Sequence, residues 1–263
     1  MRIVIKIGTS TLTHSTGCLN IRRIEKLCEV VSDLKNAGHE PILVSSGAIG
    51  MGVGKLSLKS RPQDIPTKQA AAAVGQCELM YTYDKLFSEY RHTVAQILLT
   101  EHDVNDDGRR TNFHNTLTRL LELGCIPIIN ENDTVATEEL GIGDNDTLAA
   151  IVSVSISADV LVLLSDIDGL YTSDPHKDKS ATIIKCVEEI TPEIIALAGG
   201  KGSELGTGGM ATKIRAAQIA TEAGTDMIIT NGDNPSVLYS IVEGDDVGTR
   251  FISKQNDNNE RNT

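Results

Sequence analysis

Two aspartates flank an asparagine in Gly143-Asp144-Asn145-Asp146, and a second polar run, Asn130-Glu131-Asn132-Asp133, stands shortly upstream. Acids at a helix start cap orphan N–H groups and suit the helix dipole, so one aspartate there would mean little. Two of them, with an amide between and a polar run before, exceed what capping needs. Such a group can hold a small zwitterion or a metal-bound phosphate. Two lysines extend the picture. Lys6 interrupts the apolar run Ile3-Val4-Ile5-Lys6-Ile7, and Lys213 follows Gly206-Thr207-Gly208-Gly209-Met210. A lysine among buried apolar residues is costly unless it meets an anion at a strand end. The next residues, Gly8-Thr9-Ser10-Thr11, are small and hydroxylic, as a phosphate-cradling loop would be. An edge strand followed by a polar turn would read the same way. The run Ser45-Ser46-Gly47-Ala48-Ile49-Gly50 could bring backbone N–H groups close to a carboxylate, or could simply turn the chain.

The elements that must position these residues alternate. Apolar runs at Ile3–Gly8, Ile42–Val44, Thr93–Leu99, Cys125–Ile129, Val160–Leu164 and Asp226–Thr230 read as strands, with Val247–Ile252 as an added edge strand. Between them, Ile21–Ala37 carries apolar positions at a helical period and stops at Gly38. Lys68–Tyr90, Arg109–Leu123, Asp146–Ser157, Glu188–Ala198 and a segment through Lys213 to Glu222 also read as helices. Asp144 or Asn145 sits near the N-cap of the fourth of these. Strands apolar on both faces belong in a parallel sheet covered on both sides. The expectation is a three-layer αβα sandwich with a mostly parallel central sheet, residues 1–253, and a polar, disordered tail over 254–263. The softest internal boundary falls near the Asp146–Ser157 helix, dividing lobes of about 1–150 and 151–253. Ligands in such folds bind at the carboxyl ends of the strands, where several of these polar runs fall.

Composition narrows the function classes. The chain has 263 residues, a formal charge of −12, no Trp and only 3% aromatics. That excludes a base-stacking or polyanion-binding surface, so no nucleic acid partner is expected. The five cysteines form no Cys-x-x-Cys and the six histidines no His-Glu-x-x-His, so no protein metal site is assigned. Scattered thiols, no signal segment and no apolar run of about 18 residues point to a cytoplasmic protein without a membrane span. The glycine run is neither Walker A, because Lys213 stands four residues after Gly209, nor a dinucleotide fingerprint. A Gly-x-Gly-Gly turn opening a helix can still hold phosphate on its N–H groups.

Taken in order, Lys6-Ile7-Gly8-Thr9-Ser10, Ser45-Ser46-Gly47-Ala48, Asn130-Glu131-Asn132-Asp133, Gly143-Asp144-Asn145-Asp146, Asp166 with Gly169-Leu170-Tyr171-Thr172, and Gly206-Thr207-Gly208-Gly209-Met210 with Thr212-Lys213 resemble the amino acid kinase family over about residues 1–252. The resemblance implies transfer of the ATP γ-phosphoryl group to the side-chain carboxylate of L-glutamate, the first step of proline synthesis. Lys6 would neutralise the transferring phosphoryl group and Lys213 the leaving side. Asp146 would bridge the two lysines, with Asp144 assisting or meeting Mg²⁺ carried on ATP. Gly8 and Gly47 would bring N–H groups close. Asp133 suits the α-ammonium of the substrate, and Ser46, Asn130 and Asn145 offer neutral donors to its carboxylates. ATP would be held by Lys6, Gly8, Ser165, Asp166 and the turn Thr207, Gly208, Gly209, Met210, Ala211, Thr212 and Lys213.

The resemblance further implies a homo-oligomer (dimer or tetramer), glutamyl phosphate reductase as a downstream partner, and proline as a feedback ligand under a lid at Thr134–Ile142. Many enzymes of this activity carry a C-terminal PUA domain, and this chain stops too early for one. The alternatives are a family member acting on aspartate, N-acetylglutamate or UMP, or an amino-acid sensor without transfer activity. Asp133 beside Asn130 favours a free amine over an acetylated one, and the two lysines with two aspartates weigh against a sensor.

Overall fold

A computed structural model describes residues 1–14, 18–136, 144–175, 177–198 and 209–254. The first half runs β1 (Arg2–Ile7), α1 (Thr9–Leu12), α2 (Ile21–Asn36), β2 (Glu40–Ser45), α3 (Ala48–Lys55), α4 (Ile65–Ser88) and β3 (Val94–Leu99). Then come α5 (Glu101–Asn105), α6 (Asp107–Glu122), β4 (Ile126–Glu131), α7 (Asn145–Ser155), β5 (Val160–Ser165) and β6 (Cys186–Val187). The chain closes with α8 (Pro192–Leu197), α9 (Met210–Glu222), β7 (Asp226–Asn231), α10 (Val237–Glu243) and β8 (Thr249–Phe251).

The strands form one sheet in the order β3-β4-β2-β1-β5-β7-β8-β6. All pairings are parallel except β7 with β8. Side chains alternate along a strand, and the core divides accordingly. Ile3, Ile5 and Ile7 pack with α2 and α4 on one face, through Leu27, Val31, Leu79 and Tyr83. Val4 packs on the other face with α6, α7 and α9, through Leu117, Leu148, Ala149 and Ala217. The three-layer αβα sandwich is therefore borne out. Because Lys6 shares the parity of Val4, its side chain must enter the layer that holds α7 and α9.

β1 is not an edge strand. It lies between β2 and β5, with Lys6 opposite Val44 and Leu163. The chain goes to β2 on one side of β1 and to β5 on the other, which opens a crevice at the carboxyl end of the strand. On the α2 face, α3 and α4 press together backbone to backbone. A Cβ on Gly52 would lie 1.8 Å from the Ala71 carbonyl oxygen, and one on Gly75 1.8 Å from that of Ala48. Only glycine permits this approach, which locks the start of α3 to the sheet.

Some element readings need correction. The helix expected over Glu188–Ala198 begins at Pro192, because Thr191 is its N-cap and proline suits a first helical position. The segment Val247–Ile252 does not add an edge. β8 lies inside the sheet between β7 and the short β6, which is the outer strand. After β5, Tyr171 forms an isolated bridge with Ile183. The hydroxylic stretch after Gly8 is the short helix α1, not an open loop. The tail 255–263 and most of the expected lid, 137–143, lie outside the described residues.

Candidate active site

A cleft of about 820 Å³ opens at the carboxyl ends of β1, β2, β4 and β5. Each strand delivers polar residues to it. Lys6 and Gly8 come from β1, Ser46 and Gly47 from the end of β2, Asn130, Glu131 and Asp133 from β4, and Ser165 and Asp166 from β5. Asp144, Asn145 and Lys213 complete the wall from the starts of α7 and α9. No histidine lines it among the described residues.

Asp146 organises the cations. It is fully buried behind the cleft, with Lys6 Nζ 2.7 Å from Oδ1 and Lys213 Nζ 3.0 Å from Oδ2. Each ammonium thus takes its own oxygen of the one carboxylate. Burial by itself would raise the Asp146 pKa, but the two lysines outweigh it and hold the carboxyl below its ordinary range. Thr212 Oγ lies 2.9 Å from Asp146 Oδ2 and 2.7 Å from the Gly209 carbonyl oxygen, so its one proton serves one acceptor at a time. The geometry has a local cause. Asp144 caps α7 by accepting from Thr147 N–H at 2.8 Å, which places Asp146 in the first helical turn, pointing inward. Gly209 caps α9, so Lys213 stands one turn in, facing the same carboxylate.

Asp144 lines the cleft, but both its oxygens meet Thr147, Oδ2 through the hydroxyl at 3.2 Å. Burial, with Asp146 nearby, pushes its carboxyl above the ordinary range despite these bonds. The division of labour is thus resolved in geometric terms: Asp146 holds the lysines and Asp144 shapes the helix start.

At the other end of the cleft, burial raises the Asp133 pKa, partly offset by Arg61. Asn145 Nδ2 donates to Ser46 Oγ at 2.8 Å and to Asn130 Oδ1 at 3.0 Å, so the three predicted neutral donors touch one another. Gly47 holds φ +103° at the N-cap of α3, a conformation that favours glycine. Gly8 caps α1, and a Cβ there would come 3.8 Å from Lys6 Nζ. Ser165 Oγ donates to Asp166 Oδ1 at 3.1 Å.

The structure therefore gathers Lys6, Gly8, Ser46, Gly47, Asn130, Asp133, Asp144, Asn145, Ser165, Asp166 and Lys213 on one cleft. Gly209, Met210, Ala211 and Thr212 stand at the start of α9 and do not line it, and Thr207 and Gly208 lie outside the described residues. Arg61 and Lys68 also line the cleft, from the segment entering α4. Sequence reasoning missed both, because neither belongs to a motif and only the docking of α4 brings them near Asp133.

Comparison with known proteins bears on the family and the fold. The family model described as the amino acid kinase family matches residues 1–231. The chain is 54% identical over 258 residues to a glutamate 5-kinase of Clostridium perfringens, covering 97% of this chain and 96% of that protein. It is 56% identical over 253 residues to a glutamate 5-kinase of Clostridium acetobutylicum, covering 96% and 95%. Among solved structures, carbamate kinase from Giardia lamblia bound to AMP-PNP superposes with a TM-score of 0.68 at 16% identity, over 96% of this chain and 98% of that one. That last likeness concerns the fold alone.

Proposed function

The chain belongs to the amino acid kinase family, and on that premise we propose that it transfers the γ-phosphoryl group of ATP to the side-chain carboxylate of L-glutamate, giving L-glutamyl 5-phosphate and ADP. The observation that carries this reading is the single buried carboxylate of Asp146, paired with both Lys6 and Lys213 at the end of the central strand. The relatives named above support glutamate as the acceptor.

The nucleophile is a carboxylate with a pKa of about 4.3, already ionised at neutral pH. No general base is needed for such a nucleophile. The barrier is repulsion between two anions, and preorganised cations relieve it. Lys6 stands beside Gly8 and the Ser46–Gly47 turn, so it neutralises the transferring phosphoryl oxygens. Lys213, on α9, stabilises the leaving side. Asp146 keeps both ammonium groups aimed without reorganisation during the step. Asp133 holds the α-ammonium, while Ser46, Asn130 and Asn145 meet the carboxylates. Residues of about 1–150 form the glutamate side and 151–253 the nucleotide side, with Ser165, Asp166 and the turn into α9 on the nucleotide.

Mg²⁺ arriving on ATP neutralises part of the phosphate charge. In this reading the metal is held mainly by the nucleotide. The reading further includes entry of the product into proline synthesis through glutamyl phosphate reductase, proline as feedback ligand, a homo-oligomer and a cytoplasmic location. The five free cysteines support that location. No helix of the described residues is long and apolar enough to cross a membrane.

The test is ADP release with Mg-ATP and a panel of L-glutamate, L-aspartate, N-acetylglutamate and UMP. Turnover with L-glutamate above the other acceptors is expected. A preference for any other acceptor would replace this reading.

A further inference from the structure

Gln76 lies on α4, outside every motif discussed above, and it does not line the cleft. It is nonetheless joined to the substrate side of the site. Its Oε1 accepts from Asn130 Nδ2 at 2.9 Å in a buried contact. Asn130 Oδ1 in turn accepts from Asn145 Nδ2 at 3.0 Å and from the Glu131 N–H at 2.9 Å. The second hydrogen of Asn145 Nδ2 goes to Ser46 Oγ at 2.8 Å.

These bonds have one polarity. A carboxamide has two donors at one end and an acceptor at the other, and a half-turn exchanges them. The Glu131 N–H, which cannot turn, fixes the oxygen end of Asn130, and the Gln76 carbonyl accepts from its nitrogen end and holds the same orientation. The Asn130 oxygen can accept only from the nitrogen end of Asn145. With both Nδ2 hydrogens engaged, Asn145, which lines the cleft, keeps an oxygen that meets no donor among the described residues. Ser46, accepting one bond, keeps its hydroxyl proton to donate. Reversing Asn130 would set two oxygens or two nitrogens facing one another along the chain.

A second observation separates this role from plain packing. Gln76 Nε2 is buried and has no partner among the described residues. An unpaired buried donor costs stability that an apolar side chain of the same length would not. What only the amide supplies is the acceptor for Asn130.

We propose that Gln76 is a positioning residue for the amino-acid end of the acceptor. Through the orientation of Asn130 and Asn145 it makes the cleft present an acceptor from Asn145 and a donor from Ser46. This rests on the glutamate reading above. The ligand feature it serves is an α-amino acid, whose ammonium needs acceptors and whose carboxylate needs donors.

The test is steady-state kinetics on the full chain with Gln76→Met, which keeps length but removes the acceptor, and Gln76→Glu, which keeps an oxygen facing Asn130. Gln76→Met should raise KM for glutamate by about tenfold, the loss of one hydrogen-bonded contact. Its kcat and its KM for ATP should change by less than about threefold. Gln76→Glu should keep the glutamate KM within about threefold of the parent. Should Gln76→Met not fold, judged by circular dichroism, Gln76→Leu is measured in its place. An unchanged glutamate KM in the acceptor-less variant, or equal losses in both KM values and kcat, would overturn the role. If the parent chain turns over another acceptor and not glutamate, the proposed function falls and this inference with it. An active parent with an indifferent Gln76→Met removes the inference alone.

Discussion

Lys6 and Lys213 meet on one carboxylate: their Nζ atoms lie 2.7 Å and 3.0 Å from the two oxygens of Asp146. One lysine comes from the central strand and the other from α9, and among the ion pairs of the described residues no other carboxylate holds two lysines. A shared counter-charge lets both approach phosphate without first repelling each other. The two ion pairs thus tie the start of the chain to α9 through the start of α7.

Lys213→Ala should lower kcat by about 10²–10³-fold, the usual effect of losing one transition-state donor. Lys6→Ala should behave similarly. Both should remain folded, since each leaves Asp146 with one cation. Rapid-quench or coupled ADP assays at saturating substrates check this, and near-normal kcat in either variant removes that lysine from the mechanism.

Asp146→Asn should cost stability as well as rate, because it leaves two cations facing an uncharged group. Breaking a buried ion pair on one side typically costs about 3–5 kcal/mol. The pH dependence has a definite sign. The Asp146 carboxyl is held below its ordinary range in the folded chain. Its stabilisation is therefore present above the unfolded value of about 3.9 and is lost as pH falls through the depressed folded value. Denaturant unfolding of parent and variant should show a gap that is constant at neutral pH and closes below about pH 4. A gap that persists at lower pH would mean the carboxylate is not what the lysines stabilise.

Asp133→Ala should raise KM for glutamate far more than KM for ATP. The parent should also show two separated acid limbs. Burial raises the Asp133 pKa in the free chain, so the limb of kcat/KM should fall above the ordinary aspartate value of about 3.9. In the complex the substrate ammonium favours the charged form, so the limb of kcat should fall at lower pH. Coincident limbs would show that Asp133 does not meet the ammonium. A single ionisation near pH 7 on kcat would instead point to a general base and overturn attack by an already ionised carboxylate.

Gly75→Ala should destabilise the chain by at least about 1–3 kcal/mol, the range for overpacking. Its Cβ would fall 1.8 Å from the Ala48 carbonyl oxygen, which is backbone and cannot swing aside. α3 must shift, and Ser46 and Gly47 at its start with it, so KM for glutamate should rise in whatever fraction folds. Gly108→Ala is the control, since its Cβ would meet only a side-chain oxygen of Asp106 at 3.4 Å. Equal melting temperatures for the two variants would contradict the backbone contact.

The site was legible where a residue broke a local rule. Lys6 inside an isoleucine-rich strand, and a second acid, Asp146, beyond the capping Asp144 at a helix start, both carry a cost that bonding within the local segment does not repay, so each announces a partner elsewhere. The strands were legible because buried parallel strands are apolar on both faces. The helix α10 and the short helices α1, α3 and α5 were not read, since four to eight residues give too little periodicity. β8 carried no sign of its antiparallel direction, which depends on where the connection after α10 returns the chain.

By itself, then, the sequence determined the layered fold and the identity of most charged groups in the cleft, because burial period and misplaced polarity are local properties. Only the tertiary structure decided which carboxylate serves which cation. Asp144 and Asp146 are indistinguishable as letters, but the first caps α7 and the second, two residues on, points inward between β1 and α9. The same holds for Arg61 and Gln76. Their places follow from how α4 lies in the fold, packed backbone to backbone on α3 at Gly52 and Gly75, and no short window of residues encodes that contact.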